Sequence, residues 1–362
     1  MKQFQVQKKQ FVNGEIKSLE STDLQAGEVL VKVDRFAYTS NNITYAVAGD
    51  MVGYWQFFPP SSDRDDSVWG VIPVWGFADV ISSANAKIPV GDRFFGYFPP
   101  ATHTVMRPAK VAPHQFLESS AHRRSLPMGY NLYRRTSGEP NYDRDLDNAR
   151  MIFYPLHLTA FCIVDALEEA DWRGAEQVII LSASSKTSIG LAIGLYDRDD
   201  APEVVGITSA KNLETTSDLG TYDQLHTYDN YGDIDRSKPA VIVDMSGSIK
   251  TVNALIDHFG DKMKYVIQVG LTHWDQAGEK INIDKEKTEF FFAPGHMQKR
   301  ISEWGGAEFN KRTSSYIQRS VSKISQWMSY ETIDGLDGLI AIHKDVCMGN
   351  IPANKGLVVE ME

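Results

Sequence analysis

The sequence is poor in cysteine. Its 362 residues include two, Cys162 and Cys347, and neither belongs to a C-x-x-C pair. Protein zinc sites draw their ligands from cysteine and histidine residues grouped at short spacings. His103, His114 and His122 stand apart from one another and from both cysteines. We therefore predict no metal site.

Several motifs of phosphate-binding and catalytic sites are absent. The chain has no G-x-G-x-x-G dinucleotide fingerprint and no P-loop, because Ile180 and Ser185 stand where the P-loop glycines would be. It also lacks the Y-x-x-x-K pair of short-chain reductases and the G-x-S-x-G nucleophile elbow of serine hydrolases. These absences argue against the corresponding enzyme classes.

The chain also lacks a net positive charge and long apolar runs. The formal net charge is −10, which argues against nucleic acid as a main partner because phosphate binding depends on clustered Lys and Arg. The N-terminal segment MKQFQVQKKQF lacks the apolar stretch of a signal peptide, and no run reaches the roughly 20 apolar residues of a membrane span. We expect a cytoplasmic protein of two domains with no membrane partner.

The most informative segment that is present is QVIILSASSKTSIG, residues 177–190. A β-branched apolar run predicts a buried strand, and the spacing of Ile189, Ala192, Ile193 and Tyr196 predicts a helix directly after it. Free N–H groups and the dipole at a helix start favour a bound anion. We predict that this turn binds a phosphate group through Ser182, Ser184, Ser185, Lys186, Thr187 and Ser188. The alternative is a serine-rich helix cap without a ligand.

Further strands alternate with helices after this turn. Apolar strands are predicted at 203–208, 224–227, 240–244 and 264–269, with helical patterns between most of them. Such alternation is typical of an α/β fold with a doubly wound parallel sheet. Ligands of these sheets bind at the carboxyl ends of the strands. The residues predicted there are Ser182, Ser209, Ser246, Gly247 and Gly270.

The end of the second strand bears on which dinucleotide is bound. NAD sites usually place an acid there to bind the ribose hydroxyls, whereas NADP sites provide hydroxyl groups and a cation for the 2′-phosphate. The segment ITSAKN has no acid, and Ser209 and Lys211 are suited to a phosphate. NADP(H) is therefore predicted as the cofactor, although Lys211 is alternatively an ordinary solvated residue at a helix start.

The N-terminal third has a different pattern. The segment EVLVKV, residues 28–33, alternates as a half-buried strand does, and further β-like segments with glycine and proline turns continue to Phe98. This pattern predicts a β-rich domain.

In order along the chain, several segments resemble the medium-chain dehydrogenase/reductase superfamily, in particular its zinc-free quinone oxidoreductase and enoyl reductase branch. The segments are GEVLVKVDRFAYTSNNITYAVAGD, VIPVWGFADVISS, VGDRFFGYFP, YPLHLTAFCIVDAL and LIAIHKDVCMGNIPANKGLVVEM. The resemblance implies a GroES-like catalytic domain, residues 1–150 plus 300–362, and a Rossmann dinucleotide-binding domain, residues 151–299. The active site is then expected in the cleft between them.

The resemblance also implies the chemistry. Members of this branch transfer hydride from NADPH to an activated double bond or a quinone, and this chain has Thr39, Ser40, Asn41 and Asn42 where a zinc alcohol dehydrogenase needs Cys or His. It implies that Asn41, Asn42 and Thr159 lie near the nicotinamide, with Tyr45 as first and Tyr54 as second candidate proton donor. Each tyrosine is alternatively a packed aromatic residue whose hydroxyl reaches a backbone carbonyl.

One departure from the branch leaves a second function open. SASSKTSIG replaces the glycine-rich turn, which indicates a divergent subgroup such as a family of unknown function. The alternative function is a catalytically silent nucleotide-binding or regulatory protein on the same fold. By resemblance, the partners expected are a small-molecule substrate and a second copy of the chain, bound at the sheet edge near residues 264–274.

Overall fold

The computed structural model describes residues 1–20, 23–139, 142–269 and 280–361. The chain divides into two compact units. The first unit comprises Met1–Ile152, Ser329–Ile351 and Lys355–Glu362, and the second comprises Phe153–Met328 and Pro352–Asn354.

The first unit begins with short strands, as the alternating sequence pattern predicts. Along Val29–Ala37 buried residues alternate with half-buried ones, because successive side chains of a strand point to opposite faces. The strands are β1 (Lys2–Gln7), β2 (Gln10–Ser18), β3 (Val29–Ala37), β4 (Trp69–Gly70), β5 (Val74–Ser83), β6 (Arg93–Phe98), β7 (His103–Met106), β8 (Pro108–Ala109), β9 (Gln115–Glu118) and β10 (Leu132–Arg135). Helices α1 (Ser40–Val47) and α2 (Gly49–Val52) follow β3.

Helix α3 (Asp147–Glu169) begins in the first unit and continues into the second. Within the described chain, one helical segment, Arg144–Glu169, is long and apolar enough to cross a membrane, with a mean hydropathy of 1.4 over its 18-residue window. The segment meets this criterion by length and mean hydropathy only and is not an unbroken run of apolar residues. Burial accounts for the apolar composition of this helix, since 72% of the window lies inside the protein.

The second unit is an α/β fold. Strands β11 and β14 are buried along their whole length, as expected for central strands of a parallel sheet covered on both faces. The elements are β11 (Gln177–Leu181), α4 (Lys186–Tyr196), β12 (Glu203–Thr208), α5 (Ala210–Ser217), β13 (Gln224–Thr227), β14 (Ala240–Asp244), α6 (Ile249–Phe259), β15 (Met263–Gln268), β16 (Thr288–Phe290), α7 (Ala293–Trp304) and α8 (Gly306–Ile324).

The strand order confirms the predicted doubly wound sheet. The six strands lie in the order β13-β12-β11-β14-β15-β16, and neighbouring strands are parallel. The chain starts in the middle of the sheet and proceeds outward on each side in turn, so the order reverses between β11 and β14. Ligands of such sheets bind at the carboxyl ends of the strands beside this reversal.

The chain ends in the first unit with β17 (Ser329–Asp334), α9 (Gly335–Cys347) and β18 (Lys355–Glu360). Strand β18 pairs with β3, so the C-terminal segment joins the large sheet β17-β18-β3-β5-β6-β10-β9-β8, in which β7 also pairs with β3. A smaller sheet has the order β2-β1-β4. The β-rich domain is confirmed.

Two boundaries differ from those expected. Residues 300–328 lie in the second unit rather than the first, because Phe309 and Tyr316 of α8 pack with Phe161 in the second unit's core. The sheet edge also lies further along the chain than residues 264–274. Strand β15 does not form the edge, since β16 pairs with it in parallel.

Candidate active site

The turns that follow three neighbouring strands lie at the carboxyl end of the parallel sheet. Strands β12, β11 and β14 are neighbours and run in the same direction, so Ser209, Ser182 and Ser246 follow them at the same end of the sheet. The structure therefore brings these three predicted residues to one edge. Gly270, which was predicted to join them, lies outside the described residues.

The turn after β11 has an unusual backbone. Ser182 has a φ of +56°, in the left-handed region that residues with a side chain rarely adopt. Its N–H donates to the Tyr228 hydroxyl at 3.0 Å. The next residue, Ala183, donates its N–H to the Ile207 carbonyl at 2.9 Å and accepts a hydrogen bond from the Tyr222 hydroxyl at 2.7 Å. Neighbouring segments of the second unit thus fix this turn.

Ser184 links the ends of β11 and β12. It is buried, and its hydroxyl lies 3.1 Å from the hydroxyl of Thr208 and 3.0 Å from the side-chain nitrogen of Asn212, which donates to it. The side chain that the sequence predicted to bind phosphate therefore holds two strand ends together in this structure.

Helix α4 is capped by its own serines. Ser185 is the N-cap, and its hydroxyl accepts the Ser188 N–H at 3.2 Å and donates to the Ser188 hydroxyl at 2.8 Å. The Ser188 hydroxyl donates to the Leu181 carbonyl at 3.3 Å. Thr187 lies in the first turn, where N–H groups have no intrahelical acceptor and the helix dipole is positive. The helix start keeps its attraction for an anion, while these two hydroxyl groups serve the cap.

Lys186 is engaged elsewhere than the sequence suggested. Its ammonium group donates to the Ala353 carbonyl at 3.0 Å, and Ala353 belongs to the short C-terminal segment assigned to the second unit. Burial lowers the pKa of Lys186 to about 8. In this structure the ammonium group of Lys186 thus donates to a backbone carbonyl of the same unit.

The end of β12 carries the two residues predicted to bind a 2′-phosphate, Ser209 and Lys211. Ser209 precedes helix α5 and accepts the Asn212 N–H at its backbone carbonyl, at 2.9 Å. Its hydroxyl is buried and has no hydrogen-bond partner within the described chain. Lys211 is exposed and forms no ion pair with the other described residues. A buried hydroxyl without a partner is costly, so this oxygen keeps an unused capacity for a hydrogen bond.

The turn after β14 is organised around a buried carboxylate. Asp244 accepts hydrogen bonds from the Ser246 N–H at 2.8 Å, the Ser246 hydroxyl at 2.6 Å and the Gly247 N–H at 3.0 Å. Gly247 has a φ of +72°, which glycine adopts without strain. The two residues predicted to contact the cofactor shape this turn in the structure.

Thr159 lies in α3 with its side chain half-buried. Its hydroxyl donates to the Pro155 carbonyl one turn earlier in the same helix, at 3.0 Å. This hydrogen bond is local to the helix and by itself indicates no ligand.

In the first unit, Asn42 has a structural role. Thr39 caps α1, and the Asn42 side-chain oxygen accepts the Thr39 N–H at 2.7 Å, which completes a capping box. The Asn42 amide nitrogen donates to the Pro73 carbonyl at 2.8 Å, and the residue is buried. Both ends of this amide therefore form hydrogen bonds within the protein.

The hydroxyl group of Tyr45, the first predicted proton donor, hydrogen-bonds to two side chains. The buried hydroxyl accepts a hydrogen bond from the Trp75 indole N–H at 3.1 Å and also hydrogen-bonds to the Asn41 side chain. An indole nitrogen can only donate, so the Tyr45 proton is left for another acceptor. Burial, with a smaller contribution from Tyr54, raises the pKa of Tyr45, so the hydroxyl stays protonated at neutral pH.

Tyr54 belongs to the same aromatic cluster. Its hydroxyl hydrogen-bonds to the Tyr130 hydroxyl at 2.8 Å, and burial raises its pKa to about 12. The Tyr45 and Tyr54 ring centroids are 4.7 Å apart. The structure therefore brings both predicted donors together with Asn41, in a cluster whose other members include Phe57, Trp75, Tyr97 and Tyr130.

Among the described residues, no group of three or more His, Cys, Asp or Glu side chains is arranged to hold a metal ion. Cys162 is buried in α3, and the Cys347 sulfur lies 3.7 Å from the nearer ring nitrogen of His343.

A comparison with known protein families identifies the family of this chain. The family described as "Protein of unknown function (DUF2855)" matches residues 36–352. The chain belongs to this family. No curated protein sequence matches it.

Solved structures show which fold this DUF2855 chain has. CurA from Vibrio vulnificus in complex with NADPH aligns at a TM-score of 0.61 and 10% identity, covering 97% of this chain and 94% of that one. The YhdH oxidoreductase from Salmonella enterica in complex with NADP aligns at 0.57 and 13%, covering 100% of each chain. YhdH from E. coli K-12 with bound NADPH aligns at 0.57 and 14%, covering 99% of each. The predicted fold, a Rossmann-type sheet with a GroES-like β-rich domain, is confirmed.

Sequence reasoning missed Trp75, Tyr97 and Tyr130. Trp75 and Tyr97 lie directly opposite each other on β5 and β6, so their side chains share one face of the sheet. The Tyr97 hydroxyl is buried without a hydrogen-bond partner in the described part of the DUF2855 chain. The only signal in the sequence was the density of aromatic residues in VWGF and FFGYF, which does not reveal the pairing of the two strands.

Proposed function

We propose that this protein is an NADPH-dependent, zinc-independent reductase that transfers hydride to an activated double bond or a quinone. The observation that carries the proposal is the acid-free end of β12, with the buried unpartnered hydroxyl of Ser209 two positions before the exposed Lys211. That pair suits the 2′-phosphate that distinguishes NADPH from NADH. The comparison structures solved with NADPH or NADP support the same cofactor.

Three parts of the second unit are suited to hold the cofactor. In this proposal Ser209 and Lys211 bind the 2′-phosphate, and the start of α4 with Thr187 attracts the diphosphate through the helix dipole. When bound, NADPH supplies the hydride. Ser182 and Ser246 line the same edge of the sheet, where the strand order reverses.

The first unit would supply the proton. Reduction of a conjugated carbonyl places negative charge on an oxygen and later requires a proton at carbon. Tyr45 is protonated at neutral pH, and the Trp75 N–H occupies its oxygen as an acceptor, so its own proton remains to be donated. Asn41 contacts the same hydroxyl and helps to fix its direction.

A second candidate is a nucleotide-binding protein without turnover. Contacts within the second unit favour it, because the Ser182 N–H is bound by Tyr228 and the Lys186 ammonium by Ala353. Groups that were expected to face the cofactor are thereby engaged inside the protein.

Two measurements separate the candidates. NADPH and NADH are titrated against the protein by fluorescence, and NADPH oxidation is then followed against enones, enoyl thioesters and quinones. The reductase predicts tighter binding of NADPH than of NADH, and oxidation with at least one class of acceptor. Binding without oxidation of any acceptor supports the silent protein, and no binding of either nucleotide overturns both.

We further propose that the protein is cytoplasmic and forms a homodimer. The edge strand β16 carries Phe290, 40% exposed, and Phe292 just beyond it is also exposed. An exposed strand edge with apolar side chains is a ready surface for pairing with a second copy. Light scattering of the purified protein tests this proposal, and a monomer at micromolar concentration would contradict it.

A further inference from the structure

The left-handed turn at Ser182 raises a structural question. The dinucleotide fingerprint places glycines in the turn after the first strand, because glycine permits a tight turn and close approach of the backbone. This chain instead has Ser182 at φ +56°, a conformation disfavoured for a residue with a side chain. Such a conformation persists only when the surrounding structure enforces it.

Two tyrosines flanking β13 provide that enforcement. The Tyr228 hydroxyl accepts the Ser182 N–H at 3.0 Å, and the Tyr222 hydroxyl donates to the Ala183 carbonyl at 2.7 Å. Each tyrosine therefore forms one hydrogen bond with the backbone of this turn, Tyr228 at Ser182 and Tyr222 at Ala183. Tyr228 also hydrogen-bonds to the Ser246 side chain, which connects the turn after β11 with the turn after β14.

Strand β13 keeps both tyrosines in place. The Asp223 N–H donates to the Val204 carbonyl at 2.9 Å, and the Tyr228 N–H donates to the Thr208 carbonyl at 3.2 Å. Both hydrogen bonds fasten the segment carrying the tyrosines to β12. Burial raises the pKa of Tyr228 to about 12, so its hydroxyl is not ionised at neutral pH.

Gly206 provides the room for this arrangement. A Cβ atom at Gly206 would lie 2.6 Å from Leu225, 2.8 Å from Tyr222 and 2.9 Å from Ala183. The missing side chain on β12 thus allows Tyr222 to pack beside the turn. The glycine, Gly206, therefore makes room for the Tyr222 ring and is not itself part of the turn.

We propose that Tyr222 and Tyr228 are positioning residues for nucleotide binding, in the place of the missing fingerprint glycine. They hold the left-handed Ser182 and the following Ala183 in the turn that directs the start of α4 towards a nucleotide diphosphate. This proposal rests on the proposed function, because it concerns the same NADPH site.

The test is a double-mutant cycle of Tyr228→Phe and Ser182→Gly, with NADPH affinity measured by fluorescence. Tyr228→Phe keeps the ring but leaves the Ser182 N–H without its acceptor, so we expect about tenfold weaker binding. Ser182→Gly allows the left-handed conformation without help, so the double variant should recover to within about threefold of the original affinity. Tyr231→Phe is the matched control and should leave the affinity unchanged.

Hydrogen exchange of the turn provides a readout without nucleotide. Tyr228→Phe should speed exchange in peptides covering residues 178–188, and Tyr231→Phe should not. If the original protein binds NADPH but Tyr228→Phe changes neither affinity nor exchange, the positioning role is overturned and the reductase proposal stands. If NADPH does not bind although exchange responds as expected, the proposed function fails while the tyrosines' hold on the turn is retained. A loss of affinity that Ser182→Gly does not rescue would assign the effect to the other hydrogen bond of the Tyr228 hydroxyl, with the Ser246 side chain, and also overturns the proposal.

Discussion

The indole N–H of Trp75 donates a hydrogen bond to the hydroxyl of Tyr45 at 3.1 Å. The two residues are 30 positions apart in sequence, on β5 and α1. Because Trp75 occupies the Tyr45 oxygen as a donor, the tyrosine proton points to another acceptor. We therefore expect Tyr45→Phe to lower turnover at least a hundredfold, the lower end of what a general acid contributes, while NADPH affinity is unchanged.

Trp75→Phe should have a smaller effect on the same reaction. It preserves an aromatic ring but removes the N–H that directs Tyr45, so we expect turnover to fall about fivefold. Steady-state kinetics with whichever acceptor is reduced would measure both variants, with the exposed Tyr330→Phe as control. Unchanged turnover in Tyr45→Phe would exclude Tyr45 as the donor.

Lys211→Ala should change cofactor preference. The exposed lysine follows the buried hydroxyl of Ser209, and only NADPH carries a phosphate for this pair to bind. We expect about tenfold weaker NADPH binding and unchanged NADH binding, with a smaller difference at high salt because exposed charges are screened. Lys250→Ala, at the start of α6, is a matched exposed control. Equal effects on the two nucleotides would remove the 2′-phosphate assignment.

His157 should make stability depend on pH. Its ring is buried, its Nδ1 lies 2.7 Å from the Ser320 hydroxyl, and burial lowers its pKa from an ordinary 6.5 to about 3. Below pH 6.5 the unfolded chain binds a proton here that the folded protein does not, so stability is lost as the pH falls from 6.5 towards 3. At pH 5 the loss from this residue is about 2 kcal/mol.

Urea unfolding at pH 7 and pH 5 measures this loss. His157→Gln removes the titrating group, so the decrease in unfolding free energy between the two pH values should be smaller than in the original protein. The comparison depends on the difference between the two pH values and not on the absolute stability of the variant. An identical decrease in both proteins would show that His157 does not titrate as described.

Asp171→Gly should stabilise the protein. Asp171, Trp172, Arg173 and Gly174 form a left-handed run with φ values of 50°, 51°, 56° and 68°. Glycine adopts this conformation at little cost, so replacing the exposed Asp171 should raise the free energy of unfolding by about 1 kcal/mol. Asp218→Gly is the control with the opposite sign, because Asp218 has a φ of −60° at the end of α5. Thermal denaturation measures both, and a lower melting temperature for Asp171→Gly would contradict the strain.

Much of the second unit was readable from the sequence because its signals are local. The apolar run at 177–181 and the helical spacing after it lie within one short stretch, and the alternation of such stretches predicts a parallel sheet. The acid-free segment after β12 is also local, so Ser209 and Lys211 were correctly located at the end of a strand.

The partners of the predicted residues were not readable in this way. Tyr228 reaches Ser182 across 46 positions, and Lys186 reaches Ala353 across 167. The Ser182 N–H group and the Lys186 ammonium group, which were predicted to face a ligand, therefore donate to acceptors inside the protein. Composition and spacing identify a group that can bind an anion, but not which competing partner lies within hydrogen-bonding distance.

The sequence by itself determined the type and order of the elements from β11 to β15, because backbone propensity and apolar periodicity act between residues close along the chain. Tertiary structure alone decided that α7 and α8 pack into the second unit, that β16 pairs with β15, and that Trp75 and Tyr97 contact Tyr45. These outcomes depend on contacts between distant segments, whose free energies are realised only when the whole chain is packed.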